Sequence, residues 1–242
     1  INTESTENSR RDYRELLFRA SGMKENIGGV ILFDETLRQS AADGTFLKEV
    51  ISKTGALPGI KVDKGVSPIN DSEEVLTGGL DGLEERCSEY EDLGAKFTKW
   101  RAVIRIGNDT PSQECIDANM QALASYAKIV QDHNMVPIVE PEVLMDGEHS
   151  AESCYDATSK CLNSLFSNLS TNEVNIKGTI LKPNMILAGQ DSPVQLSHSK
   201  VAELTMKCLL ENVPPELPGI AFLSGGQSDI DCLLYTSPSP RD

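Results

Sequence analysis

Positive charge is scarce in this 242-residue chain: 22 Lys and Arg face 37 Asp and Glu, a formal net charge of −15. That balance argues against nucleic acid or an anionic membrane as the main partner. Long apolar runs are missing as well. No stretch approaches the roughly 18 consecutive apolar residues of a membrane span, and no basic-then-apolar signal peptide opens the chain. Histidine is limited to His133, His149 and His198, which lack zinc-ligand spacing, so no metal site is expected. The six cysteines, Cys87, Cys115, Cys154, Cys161, Cys208 and Cys232, contain no C-x-x-C pair. The first five fall in helix-like segments, which points to reduced thiols in a cytoplasmic protein.

What is present reads as an ordinary globular composition, 39% hydrophobic and 24% charged, with enough apolar residues for a sizeable core. Six short segments rich in β-branched residues recur at 28–33, 58–63, 97–106, 136–143, 178–185 and 219–226. Helix-like stretches separate them. Ile116, Met120, Leu123, Ala127 and Val130 step by helical intervals, with Thr110 as the expected N-cap, Pro111 at the first helical position and Gln113 completing a capping box. Leu83, Cys87 and Tyr90 form a second stripe, closed by Gly94; Leu162, Leu165, Phe166 and Leu169 form a third.

Strand–helix alternation predicts a parallel sheet covered by helices. A doubly wound sheet needs functional side chains only at the crevice where strand order reverses, whereas a barrel brings every strand end to one mouth. Here ionisable or polar residues punctuate the ends of five consecutive strands: Lys61 and Asp63, Lys99 and Arg101, Glu140 and Glu142, Lys182, then Ser224. The pattern predicts an α/β fold of the (β/α)8 TIM-barrel type, with about six βα units present.

Lys182 ends the apolar run Gly178, Thr179, Ile180, Leu181. Burial disfavours an ammonium and favours the neutral amine, the form that attacks a ketone or aldehyde to give a Schiff base. A lone lysine at a strand end can equally pack its stem and snorkel its head to water. The strand period of two puts Lys99 and Arg101 on one face, and Glu140 and Glu142 on one face of the next strand. Cations and carboxylates converging on Lys182 suit imine chemistry; a structural ion-pair network is the competing reading. Ser224, Gly225 and Gly226 add a hydroxyl and backbone N–H groups suited to a phosphate.

The segments G-I-K-V-D-K-G from Gly59, K-W-R from Lys99, P-I-V-E-P-E from Pro137, L-K-P-N-M from Leu181 and L-S-G-G-Q from Leu223 resemble class I fructose-bisphosphate aldolase, in order and spacing. So do N-S-R-R from Asn8 and G-V-I-L-F from Gly29. The resemblance implies metal-independent, cofactor-free cleavage of fructose 1,6-bisphosphate to dihydroxyacetone phosphate and glyceraldehyde 3-phosphate, with a homotetramer as the assembly. It implies Lys182 as the Schiff-base lysine, Glu140 as acid/base, Lys99 as the orienting lysine, and Glu142 and Arg101 as a second ring of charge. Ser224, Gly225 and Gly226 match the phosphate loop, Arg10 an arginine for the other phosphate, and Lys61 an electrostatic contributor. Another Schiff-base phosphosugar aldolase, or a non-catalytic scaffold of the same ancestry, are the alternatives.

The family's first strand with its catalytic aspartate, its last strand with a phosphate-binding arginine, and its C-terminal tyrosine find no counterpart in the 242 residues. We therefore expect a partial barrel over 1–231, a non-homologous tail over 232–242, and two open sheet edges. Little turnover of fructose 1,6-bisphosphate is expected from the purified 242-residue chain; a rate near that of a complete homologue would contradict this.

Overall fold

The computed structural model describes residues 4–70, 72–223 and 225–227. Helices α1 (Glu7–Phe18) and α2 (Met23–Asn26) precede strand β1 (Gly29–Leu32); α3 (Asp34–Arg38) and α4 (Leu47–Lys53) lead to β2 (Leu57–Lys61). A small hairpin, β3 (Val66–Pro68) and β4 (Val75–Thr77), and α5 (Leu83–Asp92) come before β5 (Phe97–Ile104). Then strands and helices alternate: α6 (Gln113–Asp132), β6 (Val136–Val143), α7 (Ala151–Thr171), β7 (Ile180–Leu181), α8 (His198–Asn212) and β8 (Gly219–Ile220). Each of the six expected strand segments contributes one strand to a single sheet. The antiparallel β3/β4 pair stands apart from it.

The sheet order is β1-β2-β5-β6-β7-β8, and every pair is parallel. Each new strand adds on the same side of the last. A doubly wound sheet would reverse direction at a switch point; here the winding is that of a (β/α)8 barrel. Among the described residues the barrel is not closed, and β1 and β8 are the outer strands.

Strand β5 shows how the two faces divide. Thr98, Trp100, Ala102 and Ile104 are buried, alternating with Phe97, Lys99, Arg101 and Val103, which are only partly covered. Trp100 stacks at 5.4 Å on Tyr126 of α6, and the Tyr126 hydroxyl lies 2.6 Å from Thr98 Oγ1. The helix side is therefore tightly packed, which leaves the opposite face of β5 to carry the charge. At the lower end of that face the Phe97 ring lies over Gly59 and Gly29: a Cβ on Gly59 would fall 2.4 Å from the ring.

The helical stripes hold as read. Leu83, Cys87 and Tyr90 are buried in α5, with Gly94 at φ +91° just beyond its end, and Leu162, Leu165, Phe166 and Leu169 are buried in α7. The start of α6 does not. Its N-cap is Ser112 rather than Thr110, the helix begins at Gln113, and Ser112 Oγ accepts from Cys115 N–H at 3.1 Å. The Glu74 carboxylate decides this by accepting Ser112 N–H at 2.7 Å and Ser112 Oγ–H at 2.5 Å. Strand β7 is also shorter than expected. Pro183 has no N–H for a ladder, and the Asn184 side chain, not backbone, accepts Val143 N–H at 3.1 Å.

The five described cysteines are free and buried. Burial pushes the thiols of Cys87 and Cys115 up to about 11 and that of Cys161 to about 12, so these three are inert at neutral pH. Among the described residues no helix is long and apolar enough to cross a membrane.

Gly59→Ala should destabilise the fold by about 1–3 kcal/mol, the usual cost of overpacking, read as a lower urea midpoint. Adding Phe97→Leu should restore part of the loss, since the clash is with that ring.

Candidate active site

Parallel register brings the charged side chains to one end of the sheet. Lys61 pairs with Lys99 across β2 and β5, Arg101 with Glu140 across β5 and β6, and Val139 with Leu181 across β6 and β7. One residue past that last pair, Lys182 N–H donates to Val139 O at 2.8 Å. Lys182 thus stands level with Glu140.

The Glu140 side chain, 4% exposed, is the centre of the arrangement. Its Oε1 accepts a hydrogen bond from Lys182 Nζ. Its Oε2 lies 2.8 Å from Lys99 Nζ in an ion pair whose angles fall outside those of a hydrogen bond. Lys99 is 11% exposed and Lys182 20%, so both ammonium groups reach the carboxylate from partly covered positions. The amine of Lys182 therefore has ionic neighbours as well as apolar ones. A proton acceptor is already in contact with it.

Asp63 extends the network. Its side chain, 5% exposed, ion-pairs with Lys61 through Oδ1 and lies 4.0 Å from Lys99 Nζ through Oδ2. Beside it, Arg101 Nε donates to Glu142. The result is a line of alternating sign, Lys61, Asp63, Lys99, Glu140, Lys182, flanked by the pair of Arg101 and Glu142. Asp63 stood out in sequence only as an ionisable group at a strand end. Its spacing of two from Lys61 was the available signal that both share a face.

Ser224 lies outside the described residues. Gly225 and Gly226 form a turn with φ of +59° and +76°, a region that strains any residue with a Cβ. They line a cleft of about 440 Å³ with Met145, Gln190, Gln195 and His198. The loops after β6 and β7 are laced together next to it: Gly189 N–H donates to His149 O and Gln190 N–H to Met145 O, each at 2.8 Å. A Cβ on Gly189 would sit 2.1 Å from Gly147 O, so only glycine permits this approach. Arg10, on α1, is not joined to the lysine cluster by an ion pair among the described residues. Glu35 engages it instead, at 2.9 and 3.1 Å, together with Arg14.

The profile of the family "Fructose-bisphosphate aldolase class-I" matches residues 1–237. The chain belongs to the class I fructose-bisphosphate aldolases. A probable class 1 aldolase of Xanthomonas campestris is 50% identical over 230 residues, covering 95% of this chain and 69% of the relative. Cytosolic aldolase 4 of Arabidopsis thaliana is 46% identical over 95% of this chain and 58% of its own length. A solved aldolase structure from Plasmodium falciparum, in ternary complex with TRAP and a small-molecule inhibitor, superposes with a TM-score of 0.94 at 43% identity. It covers 97% of this chain and 68% of that one. This aldolase chain therefore spans about two thirds of the length of such relatives.

The Arg10 and Arg14 guanidiniums hold the Glu35 carboxyl down at about 2. A depressed carboxyl stabilises the fold above its unfolded value near 4.5 and loses that contribution as pH falls toward 2. Wild type should thus exceed Glu35→Gln in thermal midpoint at pH 6, and the gap should close between pH 4.5 and 2.

Proposed function

We propose that Lys182 is the Schiff-base nucleophile and Glu140 the proton shuttle of a class I fructose-bisphosphate aldolase, a lyase. The observation that carries the reading is the direct hydrogen bond between Lys182 Nζ and a carboxylate nearly sealed from water. Glu140 takes the ammonium proton, and the freed amine attacks the ketone carbon of fructose 1,6-bisphosphate. The carbinolamine forms as the surplus proton on the attacking nitrogen passes to the former carbonyl oxygen. Glu140 then returns a proton to the departing hydroxyl, water leaves, and a protonated imine remains.

That imine is an electron sink. When the hydroxyl on the fourth carbon gives its proton to the Glu140 carboxylate, the bond between the third and fourth carbons breaks. Its electron pair moves toward nitrogen, leaving an enamine and releasing glyceraldehyde 3-phosphate. Protonation of the enamine and hydrolysis then release dihydroxyacetone phosphate and restore the lysine. Lys99, against Glu140 Oε2, stabilises negative charge on the carboxylate between transfers. Arg101 and Glu142 belong to a second ring of charge. Gly225 and Gly226, with Ser224, are assigned to one phosphate and Arg10 to the other; Lys61 is assigned an electrostatic contribution. A cytoplasmic location, supported by the cytosolic designation of the Arabidopsis relative, and the homotetramer implied by the family resemblance belong to the same proposal.

Covalent capture needs Lys182 and Glu140 rather than a full turnover, so trapping is the decisive measurement. Dihydroxyacetone phosphate with borohydride should add one substrate less water plus two hydrogens at Lys182, and Lys182→Met should add none. Glu140→Gln should slow capture by about 10²–10⁴-fold, the range for a lost acid/base. An adduct confined to another lysine, or none, would overturn the assignment.

A further inference from the structure

Strand β2 parts from β5 at a point set by a side chain. Val62 N–H still donates to Lys99 O at 3.1 Å, so the next rung of a parallel ladder would run from Arg101 N–H to Val62 O. That rung is replaced. Val62 O accepts from Arg86 Nη1 at 2.9 Å, Lys64 N–H turns to Gly78 O at 2.9 Å, and Arg101 N–H donates to Asp63 Oδ2 at 3.4 Å. The buried Asp63 carboxylate thus takes over the donor given up by the backbone. It also holds Lys61 through Oδ1 and approaches Lys99 through Oδ2. Three lysine heads, those of Lys61, Lys99 and Lys182, meet two carboxylates in this line.

We infer that Asp63 is a positioning residue that keeps Lys99 at Glu140 Oε2, leaving Glu140 Oε1 to Lys182. The inference rests on the roles given above to Lys182 and Glu140. Without charge at Asp63, Glu140 is the one carboxylate left within 4.0 Å of Lys99 Nζ among the described residues. Glu140 would then be drawn off the nucleophile. Asn at this position keeps an oxygen for Arg101 N–H, so it removes the charge and spares the ladder end.

A double-mutant cycle on the 242-residue chain tests this, reading the rate of borohydride-trapped adduct at Lys182 with dihydroxyacetone phosphate. Asp63→Asn should slow capture about 100-fold, the scale of a misplaced reacting group. In a Lys99→Met background the same change should cost less than about threefold, whereas in a Lys61→Met background most of the penalty should persist. Equal penalties in all three backgrounds would overturn the inference, because a merely structural residue acts additively. The same variants are unfolded in urea. If the unsubstituted chain captures nothing, the reading of Lys182 falls, and the unfolding cycle decides separately: coupling between Asp63 and Lys99 sustains their pairing, and strict additivity ends it. Should Asp63→Asn not fold, Asp63→Glu, which displaces the charge by one methylene, carries the same cycle with the same two outcomes.

Discussion

A carboxylate taken out of water between two ammonium groups is the constraint on which the site depends. An ion buried without partners costs several kcal/mol, so Glu140, 4% exposed, is tolerable in this fold only with Lys99 and Lys182 against it. Those lysines come from the strands on either side, β5 and β7. The neutralisation therefore requires β5, β6 and β7 to be adjacent, parallel and in this register. Strand order and the pairing of Glu140 with its lysines are one arrangement seen at two scales.

The helices make that register rigid. On the far side of β5, Trp100 and Thr98 pack on Tyr126, whose hydroxyl also donates to Ile138 O at 3.2 Å. Alternation along the strand then leaves Lys99 and Arg101 facing the other way. Beyond the strand ends the backbone is replaced rung by rung with side chains: Asp63 for Val62 O, and Asn184 for a continued β7. The chain can thereby leave the sheet without stranding the N–H groups of Arg101 and Val143. The backbone lacing between the loops after β6 and β7 adds a further tie beside the turn at Gly225 and Gly226.

Much of this was legible from residue order. Segments rich in β-branched residues marked the strands, the two-residue period put Lys99 and Arg101 on one face of β5, helical stripes marked α5, α6 and α7, and ionisable residues at successive strand ends marked the end of the sheet where the charges gather. Where reading failed, a distant partner had decided. The cap of α6 moved to Ser112 because Glu74, 38 residues earlier, binds it. The β3/β4 hairpin carries three-residue strands, too short for a periodic signal. Arg10 matched a family position, yet its immediate partner, Glu35, could be found only in space.

Residue order alone determined which side chains could share a face, because the two-residue repeat of a strand and the 3.6-residue repeat of a helix are local geometry. It also supplied the lysine, the carboxylates and the glycines on which the proposed chemistry draws. Which carboxylate meets which lysine was decided only by the tertiary structure. Ion pairing depends on separations of a few ångströms between strands about 40 residues apart in sequence, and the register that fixes those separations comes from packing the helices on the sheet's other face.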